Sequence, residues 1–296
     1  MIRHDSAELG GQRFHLATQG EGKLILFAHG FPEFWYAWKD QLAEFGRTHL
    51  AVAPDLRGYN LTAKPKRVED YEMKFLVEDI RALAAHFGFG PARKFILVGH
   101  DWGGVVAWAF ALAYPESVAR LVIINAPHPA VFQRELAENP RQQEASAYIQ
   151  ILRTPMAESA LSAGGYASLV QAVLAEGLRR GYFSEEDKKA YLEAWAQPGA
   201  LTGGLNWYRA ARFTPSEDKA ADPSNLLPGL SSWVVKVRTL VIWGMKDPYL
   251  LPGNLEGLDQ FVPNLTVKRF PEASHWVVHE IPAEVNATIR SFLEQL

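Results

Sequence analysis

Three residues in fixed order along the chain have the types needed for covalent chemistry: the carboxylates Asp101 and Asp247, then the imidazole His275. Asp101 lies in Gly99-His100-Asp101-Trp102-Gly103-Gly104, directly after the apolar run 94–98, so a strand should end where a helix begins. Small residues at Gly99 and Gly103 permit the sharp strand-to-helix turn of a nucleophile elbow, which exposes the side chain between them. A carboxylate there meets a helix N-terminus, whose N–H groups and dipole favour the ionised form that a nucleophile requires. Alone, so short a motif is as easily a loop whose Asp caps a helix. The preceding strand weighs against that.

An elbow needs donors for the oxyanion of a tetrahedral intermediate. His29-Gly30-Phe31-Pro32 follows an earlier apolar run, and the backbone N–H groups of Phe31 and Trp102 are the candidates. An ordinary turn would account for Gly30 and Pro32 equally well. Asp247, in Gly244-Met245-Lys246-Asp247-Pro248, comes just past another strand-like run, and His275 sits in a loop after the last one. Singly, Asp247 would be a turn residue and His275 a structural histidine. Nucleophile, acid and base in this order, each at a strand end, reverse those odds. His279, one helical turn beyond His275, is the nearest decoy.

These groups require a particular scaffold. Residues 23–29, 49–54, 94–99 and 118–124 read as strands, and 35–44, 74–87 and 103–114 as helices between them, which predicts a mostly parallel sheet covered on both faces. From 129 to 230 the alternation stops and helices are expected at 140–153, 166–176, 184–196 and 204–212. Strands return at 238–244 and 265–270, followed by a helix at 282–296. The expected fold class is therefore α/β, with a discontinuous core (1–128 and 231–296) around an inserted helical cap (129–230).

Composition narrows the function. With 296 residues, 48% of them hydrophobic and 21% charged, the chain can bury a large core. A formal net charge of -3, with both signs interspersed, offers no field for nucleic acid. The absence of cysteine excludes disulfides, thiolate catalysis and Cys-ligated metal, and no His and carboxylate spacing suggests a metal site or any cofactor. No apolar run could span a bilayer and the N-terminus has no signal-like segment, so a cytoplasmic protein, monomeric or homodimeric, is expected.

The chain resembles the soluble epoxide hydrolase branch of the α/β-hydrolase superfamily over nearly its whole length. The residues that carry this are His29-Gly30-Phe31-Pro32-Glu33, Pro54-Asp55-Leu56-Arg57-Gly58-Tyr59, the elbow, Asp247 and His275-Trp276. The resemblance implies two cap tyrosines that donate hydrogen bonds to an epoxide oxygen. Tyr208, in Leu205-Asn206-Trp207-Tyr208-Arg209, matches the second, and Tyr148, seven residues before Pro155, matches the first in spacing; Tyr182 and Tyr191 are weaker alternatives for the first. Both could equally be interfacial tyrosines packing cap on core. An epoxide needs an acid beside its poor leaving oxygen while a carboxylate attacks carbon, and a neutral Tyr can be that acid. The implied reaction opens an apolar epoxide on Asp101 and hydrolyses the ester with water activated by His275–Asp247. Phe31, Trp35, Trp38, Trp102 and Trp207 are candidate pocket walls.

Haloalkane dehalogenases share much of this set, but Phe31 supplies no side-chain halide donor where one large group has Asn. A haloacetate dehalogenase would place Arg beside the nucleophile, where this chain has Trp102. A non-catalytic binding protein on the same fold would predict a broken triad. Asn125 argues against an alternative acid at that position.

Overall fold

The computed structural model describes residues 1–211 and 222–295. The end of the helix expected at 204–212 and residue 296 of the last expected helix lie outside them. Among the described residues the strands are β1 (Arg3–Leu9), β2 (Gln12–Gln19), β3 (Leu24–Ala28), β4 (Leu50–Pro54), β5 (Phe95–His100), β6 (Val118–Ile124), β7 (Thr239–Gly244) and β8 (Leu265–Phe270). The helices are α1 (Lys39–Phe45), α2 (Met73–His86), α3 (Asp101–Ala113), α4 (Pro129–Glu138), α5 (Pro140–Ala145), α6 (Tyr148–Leu152), α7 (Ala157–Leu169), α8 (Ala175–Arg180), α9 (Glu185–Trp195), α10 (Ala200–Ala210), α11 (Val277–Glu280) and α12 (Pro282–Glu294).

The strands form one sheet in the order β1-β2-β4-β3-β5-β6-β7-β8. Pairing is antiparallel from β1 to β4 and parallel from β4 to β8. Strand β3 is buried throughout, and its alternate residues serve two cores, as its period of two dictates. Leu24 and Leu26 pack with Leu76, Ile80 and Phe110 of α2 and α3, whereas Ile25 and Phe27 pack with Leu42 of α1 and Ile289 of α12. Each core is apolar on the helix side too, so the sheet is held between two apolar layers.

The sequence pattern does not announce the β1–β2 hairpin. Only one residue of β1 is buried, so a strand at the sheet edge reads as polar chain. Its turn uses Gly10 and Gly11, both at positive φ, +55° and +75°. Between β6 and β7 the described chain carries the helices α4 to α10 and then a 3₁₀ turn at Pro223–Asn225 followed by irregular chain, and the expected 140–153 helix is two short ones, α5 and α6. A third apolar cluster joins this segment to the core: Leu174, Phe183, Tyr191 and Trp195 pack against Phe34 and Trp276.

Candidate active site

The elbow forms where β5 runs into α3. Asp101 adopts φ +50°, the left-handed region that a non-glycine residue enters only when its surroundings compel it. Neighbouring glycines make the turn sterically possible: a Cβ at Gly103 would lie 2.1 Å from Ala28 O, and one at Gly99 would lie 2.5 Å from Gly103 O. The loop after β3 comes equally close, since a Cβ at Gly30 would meet Asp101 Oδ1 at 2.3 Å. That approach lets the Phe31 N–H donate to Asp101 Oδ1 at 2.8 Å. Trp102 follows immediately in the first turn of α3. His29 is a strut for the same loop: it donates from Nδ1 to Gly30 O and accepts the Leu56 N–H at Nε2. Burial lowers its pKa and keeps it neutral, consistent with that pattern.

His275 and Asp247 arrive from the ends of β8 and β7. His275 Nδ1 is 2.7 Å from Asp247 Oδ2, and its Nε2 is 3.6 Å from Asp101 Oδ2. Asp247 Oδ1 accepts the N–H groups of Tyr249 and Leu250, and Oδ2 also accepts Asn125 Nδ2 at 2.7 Å. Asn125 accepts the Gly244 N–H in turn, tying its side chain to the end of β7. Burial alone would push His275 down, but Asp247, with Asp101 and Glu33 behind it, outweighs this and raises the imidazole to about 9.

Tyr148 opens α6 and Tyr208 lies in α10; their ring centroids are 6.3 Å apart. The Tyr208 ring stands edge-on to Phe31 at 5.2 Å and to Trp102 at 5.1 Å. Burial, reinforced by neighbouring charges including Asp101, pushes both phenols upward, so each keeps its proton at working pH. Asp101, Tyr148 and Tyr208 together line two adjoining cavities. One, about 40 Å³, is walled by Trp102, Phe132 and Ile149; the other, about 190 Å³, by Phe31, Leu161, Val173 and His275.

Three expected pocket walls are elsewhere. Trp35 packs toward the sheet edge, 4.7 Å from the His4 ring, with its backbone N–H donating to Asp55 Oδ1. Trp38 is fully buried in the core beside α1 and β3. Trp207 backs Trp102 at 5.8 Å, donates to Arg57 O, and lines a neighbouring cavity that does not include Asp101, Tyr148 or Tyr208. Consecutive residues on a helix point about 100° apart, so Trp207 and Tyr208 cannot share one wall. Phe31 and Trp102 do line the cavities.

Sequence reasoning missed two groups. Tyr249 lines the larger cavity, 5.3 Å from the Tyr148 ring and 5.4 Å from that of His275. Buried Glu33 accepts from His279 Nε2 (2.6 Å), Tyr191 OH (3.0 Å) and His100 Nδ1 (3.0 Å). His100 Nε2 then holds His275 O at 2.9 Å. Burial would raise Glu33, yet His279 and His100 hold it well below the usual carboxylate range. His279 is thus occupied by Glu33, whereas His275 faces Asp101. A Glu one residue past Pro32 was the only signal for this network. Among the described residues no cluster of three or more His, Cys, Asp or Glu could hold a metal ion, and no helix is long and apolar enough to cross a membrane.

Fold and site together define a hydrolase scaffold with a carboxylate at its elbow. A family profile described as alpha/beta hydrolase fold matches residues 23–282. The chain is 39% identical over 290 residues to AB hydrolase superfamily protein YfhM of Bacillus subtilis (96% of this chain, 95% of that one). It is 37% identical to human Epoxide hydrolase 4, with 96% and 76% covered. A crystal structure of a Bacillus megaterium epoxide hydrolase with an inhibitor superposes with TM-score 0.92 at 38% identity, covering 98% of this chain and 100% of that one. The chain belongs to the epoxide hydrolase branch of the α/β-hydrolase family.

Proposed function

We propose that this protein hydrolyses apolar epoxides to vicinal diols through an ester on Asp101. The observation that carries this reading is that Asp101, Tyr148 and Tyr208 face the same two apolar cavities with His275–Asp247 behind the carboxylate. Phe31 N–H already holds Asp101 Oδ1, which leaves Oδ2 to attack an epoxide carbon. The ring C–O bond breaks while both phenols hydrogen-bond the leaving oxygen, which takes a proton from one of them. His275 then removes a proton from water as that water attacks the Asp101 carboxyl carbon. The Phe31 and Trp102 N–H groups hold the oxyanion; on its collapse the diol's alkoxide leaves with the proton held by His275, and the proton left on the regenerated Asp101 carboxyl returns to the tyrosinate.

In this reading residues 129–230 are a cap that brings the tyrosines over the core formed by 1–128 and 231–296. The paired phenols, with no side-chain donor at Phe31, favour an epoxide oxygen over a halide as the leaving group. A single turnover in H₂¹⁸O tests the route. The first diol should carry no label, because its new oxygen comes from Asp101; label in that first diol means direct attack by water and overturns the ester.

A further inference from the structure

The helices that carry the two tyrosines are laced together by two arginines in a reciprocal pattern. Arg153, just after α6, donates from Nε to Tyr208 O at 2.8 Å and from Nη2 to Ala211 O at 2.7 Å. Arg209, on α10 beside Tyr208, donates from Nη2 to Thr154 O at 3.0 Å. It also pairs with both carboxylate oxygens of Glu158 on α7, at 2.7 and 2.8 Å. Each tyrosine's segment therefore reaches across to the backbone of the other's.

The placement is specific. Carbonyls in the last turn of a helix have no partner within it, and a guanidinium there satisfies them in its fixed fork and complements the negative helix end. Arg153 does this for α10 at the carbonyl of Tyr208 itself, while its own chain position ties it to α6, five residues from Tyr148. Tyr148 and Tyr208 sit in short helices, of 5 and 11 residues, which have little rigidity of their own.

Resting on the ester mechanism above, we propose that Arg153 and Arg209 are positioning residues. Their crossed hydrogen bonds set the spacing of the Tyr148 and Tyr208 hydroxyls and so control ring opening, not ester hydrolysis. Hydrolysis is run by His275, Asp247 and backbone donors of the core, none of which the two arginines touch in the contacts above. The step that needs both phenols on one oxygen is the step that depends on the clasp, and misplacing a reacting group by about 1 Å costs roughly 100-fold in rate.

The test is rapid-quench intact-mass measurement of the Asp101 ester with styrene oxide in wild type, Arg153→Met, Arg153→Lys and Arg209→Gln. Ester formation in Arg153→Met should slow by about 10- to 100-fold. Decay of ester already formed should stay within about twofold, with Arg153→Lys recovering part of the loss. Arg209→Gln, which loosens the clasp from the other side, should slow the same step and serves if Arg153→Met does not fold. Equal slowing of both steps, or of neither, overturns the clasp alone. If wild type forms no ester, the ester mechanism fails and the clasp's role with it.

Discussion

His275 Nε2 stands 3.6 Å from Asp101 Oδ2, too far for a strong hydrogen bond but close enough for the carboxylate to help hold the imidazole protonated. A protonated imidazole cannot act as a base. In the proposed mechanism, alkylation of Asp101 would remove the carboxylate charge, and with it one of the groups that raise His275. On that proposal His275 would be released as a base by formation of the ester it hydrolyses.

Asp101→Asn imitates that loss of charge. Imidazole NMR titration should find His275 near 9 in wild type and measurably lower in the variant. Equal values would mean that Asp101 does not influence the base. Because the folded pKa is raised, His275 contributes stability that is complete below pH about 6.5 and lost as pH rises through about 9. His275→Gln should accordingly flatten the urea-denaturation stability profile across that window.

Asn125 offers a second electrostatic test. Asn125→Asp places a carboxylate where an amide now donates to Asp247 at 2.7 Å. Loss of the donor and like-charge repulsion should lower stability by about 1–3 kcal/mol near pH 8. Protonation of one of the pair should restore much of it near pH 5. Chemical denaturation at the two pH values checks this, and a pH-independent loss would point to simple misfit.

The tyrosine pair predicts an ordered series. Tyr148→Phe or Tyr208→Phe should slow diol formation on the order of 100-fold, the scale of one general acid, and the double variant should open no epoxide above background. Unchanged kinetics in the double variant, followed by diol chromatography, would leave both rings as packing residues.

What could be read from sequence was local. The elbow is a contiguous motif whose glycines report close backbone approaches, to Gly103 O and Ala28 O, that only a tight strand-to-helix turn produces. Residues reached through long-range packing were less legible. Trp35 and Trp207 have the composition of a pocket wall, but their directions are set by a short 3₁₀ turn and by a helix face. Glu33 gathers partners 67 to 246 residues away, and no local spacing announces them. In sequence Asn125 marks only the absence of an alternative acid, whereas its contact with Asp247 depends on β6 and β7 being neighbours.

The most direct test of the account is the intact mass of His275→Gln protein after exposure to a panel of apolar epoxides and haloalkanes, with the adduct mapped by peptide. Ring opening by Asp101 predicts an adduct on that residue equal in mass to the whole epoxide, accumulating without turnover. An adduct equal to an alkyl group without its halogen, or steady diol formation at the wild-type rate with no adduct, would contradict it.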